Sequence, residues 1–314
     1  MNDLLARFRR PTAAPRFRAV TPEVPVTPAG RTFRASSFPE AGPRPWLDLP
    51  GAEGEIERRR ERGEITAIEA SYARRWLRDG FVVVESFFEH ERLDRAWAAY
   101  ERAVASGAVT PEAAATEADP YPGRTLNPHF GVPEVDALLR DPGLVELVAM
   151  LLGAEALPFQ TIIGHKGSEQ RPHSDAIHMT TYPLGYLAAA WLAFEDIAPE
   201  SGPVVYYPGS HRLPYVFAED VGISAEDFGA RGYLPYHERY EPRIAALIDE
   251  AQLQPAYFTP RKGDVLVWHA NMIHGGSPRA QPAFSRRALV CHYFAGGCIT
   301  YHDLAANPSY LQPH

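Results

Sequence analysis

The segment Gln170-Arg171-Pro172-His173-Ser174-Asp175 sets an imidazole and a carboxylate two residues apart. On a strand, that spacing turns both side chains to one face and Ser174 to the other. A second imidazole follows far along the chain, in Trp268-His269-Ala270-Asn271-Met272-Ile273-His274-Gly275-Gly276. Two histidines and one carboxylate fill half of an octahedral metal shell, the donor set of mononuclear non-heme Fe(II) oxygenases, and the open half admits a chelating cosubstrate and dioxygen. Zinc with water could use the same three ligands. His269 competes with His274 for the second-histidine role. It continues the preceding strand and reads as a core or ligand-supporting residue, whereas His274 precedes two glycines, where backbone can approach a ligand closely. His178 lies at odd spacing from Asp175, so an unbroken strand would aim it at the opposite face, and it reads as a substrate contact rather than a ligand.

Beyond the second histidine comes Arg286-Arg287-Ala288-Leu289-Val290-Cys291-His292-Tyr293-Phe294. Adjacent residues on a strand face opposite ways, so one arginine at most points inward. A buried guanidinium needs a partner. Either a bound dicarboxylate met by the bidentate fork or a strand-side Asp or Glu would serve.

The elements that must position these groups change character along the chain. Residues 1–50 are rich in proline without sustained periodicity and read as an arm, either extended over the domain or partly disordered. Residues 51–314 read as one domain. A helical pattern runs over 53–79 and stops at Gly80, a strand follows at 81–84, and helices are expected at 91–105 and 144–152. From there the runs 157–165, 172–180, 184–196, 203–207, 256–259, 263–269 and 286–295 read as strands. Residues 218–250 interrupt them with polar loop and a helix over 244–251, an insertion suited to a lid or substrate wall. The expected class is mainly β with supporting α-helices, an antiparallel sandwich or barrel behind N-terminal helices.

Bulk properties narrow the field. The 314 residues carry a net charge of −8, with 45% hydrophobic and 22% charged residues, as an ordinary soluble protein would. Such a charge argues against a nucleic-acid partner, which would draw on clustered Lys and Arg. The two cysteines, Cys291 and Cys298, are too few for a disulfide scaffold. No long apolar run and no signal-like N-terminus is seen, so a cytoplasmic protein with no membrane partner is expected, as a monomer or homodimer.

Taken together, these blocks resemble the phytanoyl-CoA dioxygenase family of Fe(II)- and 2-oxoglutarate-dependent oxygenases. The resemblance runs from Trp76-Leu77-Arg78-Asp79-Gly80-Phe81 to Phe294. It rests on His173-Ser174-Asp175, Ala190-Trp191-Leu192-Ala193-Phe194-Glu195-Asp196, Gly202-Pro203 through Tyr207-Pro208-Gly209-Ser210-His211, Gly263-Asp264 through His274-Gly275-Gly276-Ser277, and Arg286-Arg287-Ala288-Leu289. It implies a double-stranded β-helix core, that is, a cupin-like jelly-roll. It implies iron on His173, Asp175 and His274, with Arg286 rather than Arg287 holding the distal carboxylate of 2-oxoglutarate. Gln160 or Lys166, Thr180 or Thr181, and Ser277 become candidate donors to cosubstrate or substrate. Trp191 is similar to a strand tryptophan of the family, and Asn127 and His129 are candidate substrate-facing residues.

The implied reaction takes Fe(II), 2-oxoglutarate and O2 and hydroxylates an aliphatic C–H bond of a small molecule or natural-product intermediate, with release of succinate and CO2. A carboxylate at Asp175 favours hydroxylation over halogenation, because related halogenases keep a small residue there. Two rivals come from other classes: a non-catalytic jelly-roll that binds metal or ligand, and a cupin-like metal isomerase or hydrolase, which would have no use for Arg286.

Overall fold

The computed structural model describes residues 16–21, 32–39, 42–114, 116 and 119–310. Most of the arm over residues 1–50 lies outside them. Its described part from Gly42 onward joins the body of the protein: Trp46 and Leu47 are buried in the main core, and the Trp46 indole N–H donates to the Met150 carbonyl at 2.8 Å.

The helical pattern over 53–79 divides into α1 (Ala52–Glu61) and α2 (Ala67–Asp79). Gly63, at φ +70°, falls in the break between them. Thr66 restarts the helix with a reciprocal cap: its hydroxyl accepts from Glu69 N at 3.2 Å while the Glu69 carboxylate accepts from Thr66 N at 2.6 Å. Such a cap stabilises a helix by about 1 kcal/mol. Gly80 ends α2 at φ +82°, and a Cβ there would fall 2.5 Å from the His211 ring, so this turn admits only glycine.

Strand β1 (Phe81–Val84) follows, then helix α3 (His90–Ala105), the short β2 (Thr125–Leu126), helices α4 (Pro133–Leu139) and α5 (Pro142–Leu152), and β3 (Ala156–Gly164). The remaining strands are β4 (Thr180–Tyr182), β5 (Leu187–Ala193), β6 (Val204–Tyr206), β7 (Ala256–Phe258), β8 (Val265–His269), β9 (His274–Gly276), β10 (Ala288–Ala295), β11 (Ile299–His302) and β12 (Asn307–Tyr310). Between β6 and β7 stand α6 (Ala225–Arg231), a π-helical turn Tyr236–Tyr240, and α7 (Glu241–Glu250).

A six-stranded antiparallel sheet in the order β1-β8-β5-β10-β3-β2 carries the architecture, beside two three-stranded sheets, β7-β6-β9 and β12-β11-β4. Alternation along its strands divides the large sheet into two faces. Val82, Val267, Ala190, Leu192, Leu289, Cys291 and Tyr293 pack on one side with the helices, against Trp76, Leu93 and Leu147. Ala189, Trp191, Leu266, Trp268 and Ala288 face the other way and meet Val204, Tyr206 and Phe258 of the β7-β6-β9 sheet. The chain is thus sheet-rich, with helices on one face of its main sheet, and the candidate site lies between the other face and the smaller sheets.

The run 172–180 is not the strand its alternation suggests. His173 makes an isolated antiparallel bridge to His274, and Asp175 opens a short 3-10 turn, Asp175–Ile177. The Asp175 carbonyl accepts from the amides of His178 and Met179 at 2.9 and 2.8 Å, so the backbone curls back instead of running on.

Candidate metal centre

His173 and His274 are brought together by that bridge, each backbone N–H donating to the other's carbonyl at 2.9 Å. Their Nδ1 atoms lie 2.9 Å from the Arg171 carbonyl and 3.0 Å from the Met272 carbonyl. A carbonyl only accepts, so Nδ1 carries the proton in both rings and each Nε2 lone pair is free. Both Nε2 atoms turn toward one carboxylate oxygen: Asp175 Oδ1 stands 3.9 Å from His173 Nε2 and 3.6 Å from His274 Nε2.

All three side chains are buried, and their ligand atoms lie within 4.8 Å of one another. Ligands at right angles about a metal roughly 2.1 Å away would stand about 3 Å apart, so the Asp175–histidine separations of 3.9 and 3.6 Å need to close by an ångström or less. The other Asp175 oxygen is committed, because Oδ2 accepts the Trp268 indole N–H at 2.8 Å. One oxygen is fixed by the protein and the other is left for a cation.

Charge suits the same use. Burial pulls His173 down to about 4, with His274 adding to the shift, so its imidazole is neutral near pH 7 and can ligate. For Asp175 burial works toward protonation, but the facing imidazoles and the Trp268 N–H outweigh it and hold the carboxyl below its usual range. A carboxylate held anionic beside two buried imidazoles is a donor set suited to a divalent transition metal.

Of the two arginines, Arg286 points inward and is buried, while Arg287 is turned outward, with its guanidinium 3.6 Å from Glu195. Arg286 donates to the Gly202 carbonyl at 2.9 Å and lies over the Trp191 ring at 5.9 Å; its Nε has no hydrogen-bond partner and no carboxylate pairs with it among the described residues. Burial lowers it to about 10, so it remains a cation at neutral pH. A buried guanidinium without a counter-charge is costly, and a carboxylate brought by a ligand would supply one.

Trp191 and Ala189 sit two residues apart on the same face of β5, roughly 7 Å along the strand. Ala189 pairs across the sheet with Trp268, which holds Asp175. The arginine and the triad are therefore linked to neighbouring positions of one sheet face, through Trp191 and Trp268.

Other sequence candidates fall into two groups. Gln160 faces His292 across β3 and β10, and its Oε1 is buried without a partner. His178 is likewise buried at both ring nitrogens without a partner. The rest are engaged locally. The Thr181 hydroxyl donates to Pro183 O at 2.7 Å and the Ser277 hydroxyl to Pro203 O at 2.8 Å. Thr180 is buried in β4, and Lys166 pairs with Asp119. Asn127 Oδ1 accepts from Thr161 N at 3.3 Å, and His129 Nδ1 meets the Thr161 hydroxyl at 2.6 Å, so both tie their loop to β3. His269 faces away, its Nδ1 accepting from Asn271 N and its Nε2 3.3 Å from Asp48.

Sequence reasoning missed Trp268 and His292. His292 Nε2 lies 3.9 Å from Asp175 Oδ2, its Nδ1 is unpartnered, and burial lowers its pKa. A signal existed: His292 has the same parity as Arg286 along the strand, so an inward Arg286 predicts an inward His292.

The chain is similar to several known proteins. An ectoine dioxygenase of Bordetella parapertussis is 26% identical over 225 residues, covering 69% of this chain and 72% of that protein. The peroxisomal phytanoyl-CoA dioxygenase of Rattus norvegicus is 25% identical over 168 residues, covering 50% of this chain and 45% of its own, so the chain spans about half the length of that relative. Among solved structures, the epimerase SnoN in complex with Fe3+, alpha ketoglutarate and nogalamycin RO has a TM-score of 0.55 at 19% identity, over 74% of this chain and 86% of its own. Residues 76–288 match the phytanoyl-CoA dioxygenase (PhyH) family, and the chain belongs to that family.

Proposed function

We propose that the protein is an Fe(II)- and 2-oxoglutarate-dependent dioxygenase that hydroxylates an aliphatic C–H bond of a small molecule or natural-product intermediate and releases succinate and CO2. The observation that carries this reading is the pairing of the triad His173, Asp175 and His274 with a buried Arg286 that has no carboxylate partner among the described residues. A metal isomerase or hydrolase would need the first and have no use for the second. The reading treats 51–314 as one catalytic domain and its sheets as a jelly-roll, supported by the site-bearing face of the large sheet packing on β7-β6-β9.

In this reading His173 and His274 hold iron through Nε2 and Asp175 through Oδ1, while Trp268 keeps the other carboxylate oxygen away from the metal. Arg286 would receive the distal carboxylate of 2-oxoglutarate, and Gln160 and His292, each with an unpartnered buried polar atom, would be available to the bound molecules. Bound iron, 2-oxoglutarate and O2 supply the oxidising power for C–H cleavage, and the protein supplies placement and exclusion of water.

Anaerobic addition of Fe(II) and then 2-oxoglutarate tests the reading. A visible metal-to-ligand charge-transfer band should appear with both present. It should be absent in His274→Ala. No band in the unaltered protein, or a band formed without the triad, would sink the assignment.

A further inference from the structure

One flank of the triad is aromatic. There stands His178, three residues past Asp175, in a wall of rings: 5.5 Å from His173, 5.2 Å from Tyr236, 5.8 Å from Tyr233 and 6.1 Å from His302. Phe228 extends the wall, 5.3 Å from Tyr233 and 5.9 Å from His302. Tyr233, Tyr236 and Phe228 all come from the insertion between β6 and β7, which is thereby folded over this flank.

Both ring nitrogens of His178 are shut off from solvent and find no partner among the described residues. Leaving one such polar group unmet costs about 1–3 kcal/mol, and native structures seldom tolerate that without a use. An imidazole has two ring nitrogens with which to give or accept a hydrogen bond, and here neither is used.

Charges near this flank already have partners. Arg124 pairs with Glu112 at 3.1 Å, Arg231 with Glu238 at 2.8 Å, and Glu241 with His237 at 2.9 Å. An ammonium or carboxylate lodged here would find each of these charges already paired among the described residues. A hydroxyl both gives and accepts a hydrogen bond, as an imidazole can, and a ring can pack against aromatic side chains.

Resting on the oxygenase reading, we propose that His178 is a substrate-binding residue and that, with Tyr233, Tyr236 and His302, it selects an uncharged, hydroxyl-bearing ring compound as the molecule to be oxidised. Zwitterionic amino acids and the polyanionic thioesters of CoA are disfavoured at this flank.

The test uses the full chain loaded anaerobically with Fe(II) and 2-oxoglutarate, and four probes: 1,5-dihydroxynaphthalene, trans-cyclohexane-1,4-diol, L-proline and octanoyl-CoA. At least one diol should perturb the charge-transfer band, and proline and octanoyl-CoA at equal concentration should not. His178→Phe, which keeps a ring and removes both nitrogens, should weaken diol binding about tenfold, and His178→Gln, with a donor and an acceptor, should recover part of it. Tyr233 is 42% exposed, so Tyr233→Ala does not threaten the fold and should also weaken the diol. Binding of proline or octanoyl-CoA in preference to both diols, binding of no probe, or equal diol binding by His178→Phe and the unaltered protein would each overturn the proposal. Calorimetry of the same probes on metal-free protein separates the two readings. His178-dependent diol binding without any charge-transfer band sinks the oxygenase assignment alone, and a band without His178-dependent binding sinks this one.

Discussion

At the scale of single residues, the carboxylate of Asp175 has its two oxygens assigned different work. Oδ2 is fixed by the Trp268 indole at 2.8 Å, which leaves Oδ1 facing both imidazoles. Trp268→Phe keeps an aromatic ring in the core and removes only that N–H, so Fe(II) affinity should fall by about 10- to 100-fold, the usual cost of losing a group that orients a ligand. A Co(II) or Fe(II) titration unchanged by the substitution would show that the indole bond does not position the metal. Arg286→Lys keeps the charge and loses the planar fork; 2-oxoglutarate affinity should drop about tenfold or more while Fe(II) binding alone is unaffected. Equal loss of both would mean the arginine supports the fold rather than the cosubstrate. His173, Asp175 and His274 could be singled out in the sequence from their types and setting, while Arg286 was separated from Arg287 only by the family resemblance. Trp268 could not, because its indole reads as core until the β5–β8 register sets it beside Ala189 and Asp175.

Elements bring the triad together in a way that strand periodicity alone does not describe. The i, i+2 argument put His173 and Asp175 on one face of a strand, whereas the chain makes a single bridge and then a 3-10 turn. The two glycines of β9 are demanded by the neighbouring chain. A Cβ at Gly275 would stand 2.6 Å from the Gln170 carbonyl, and one at Gly276 2.7 Å from Glu169 N. Gly275→Ala must therefore push residues 170–172 away and carry His173 off its bridge. The expected outcome is metal affinity lowered about tenfold or more with the far-ultraviolet signature of the fold retained. Full metal affinity in this variant would show that the bridge tolerates displacement. Gly-Gly after the histidine signalled close approach in the sequence, but what approached was the loop before His173, which local pattern cannot name.

Over the whole molecule, the sequence made the alternating strands and amphipathic helices visible, because each follows from local burial. Strand order was not visible: β1 pairs with β8 and β5 lies between β8 and β10, contacts whose partners are set by distant segments. The same long-range closure buries Asp303, in the turn after β11, against the segment that follows β6. One oxygen accepts from Ala218 N at 2.6 Å, the other has no partner among the described residues, and burial raises the carboxyl from 3.8 to about 7. Between those values the folded chain keeps a proton that the unfolded chain releases, so this group makes stability fall as pH rises from about 4 to about 7, and adds nothing further above that. The whole effect is at most ~4 kcal/mol. Buried His211, lowered to about 3, works the other way, since unfolding lets it take up a proton below 6.5. Asp303→Asn removes only the first effect. Urea unfolding at the two ends of the window should therefore find the variant gaining on the unaltered protein as pH rises, with His211 cancelling in the comparison. Parallel stability curves would mean that Asp303 titrates alike in both states and that its burial carries no charge penalty.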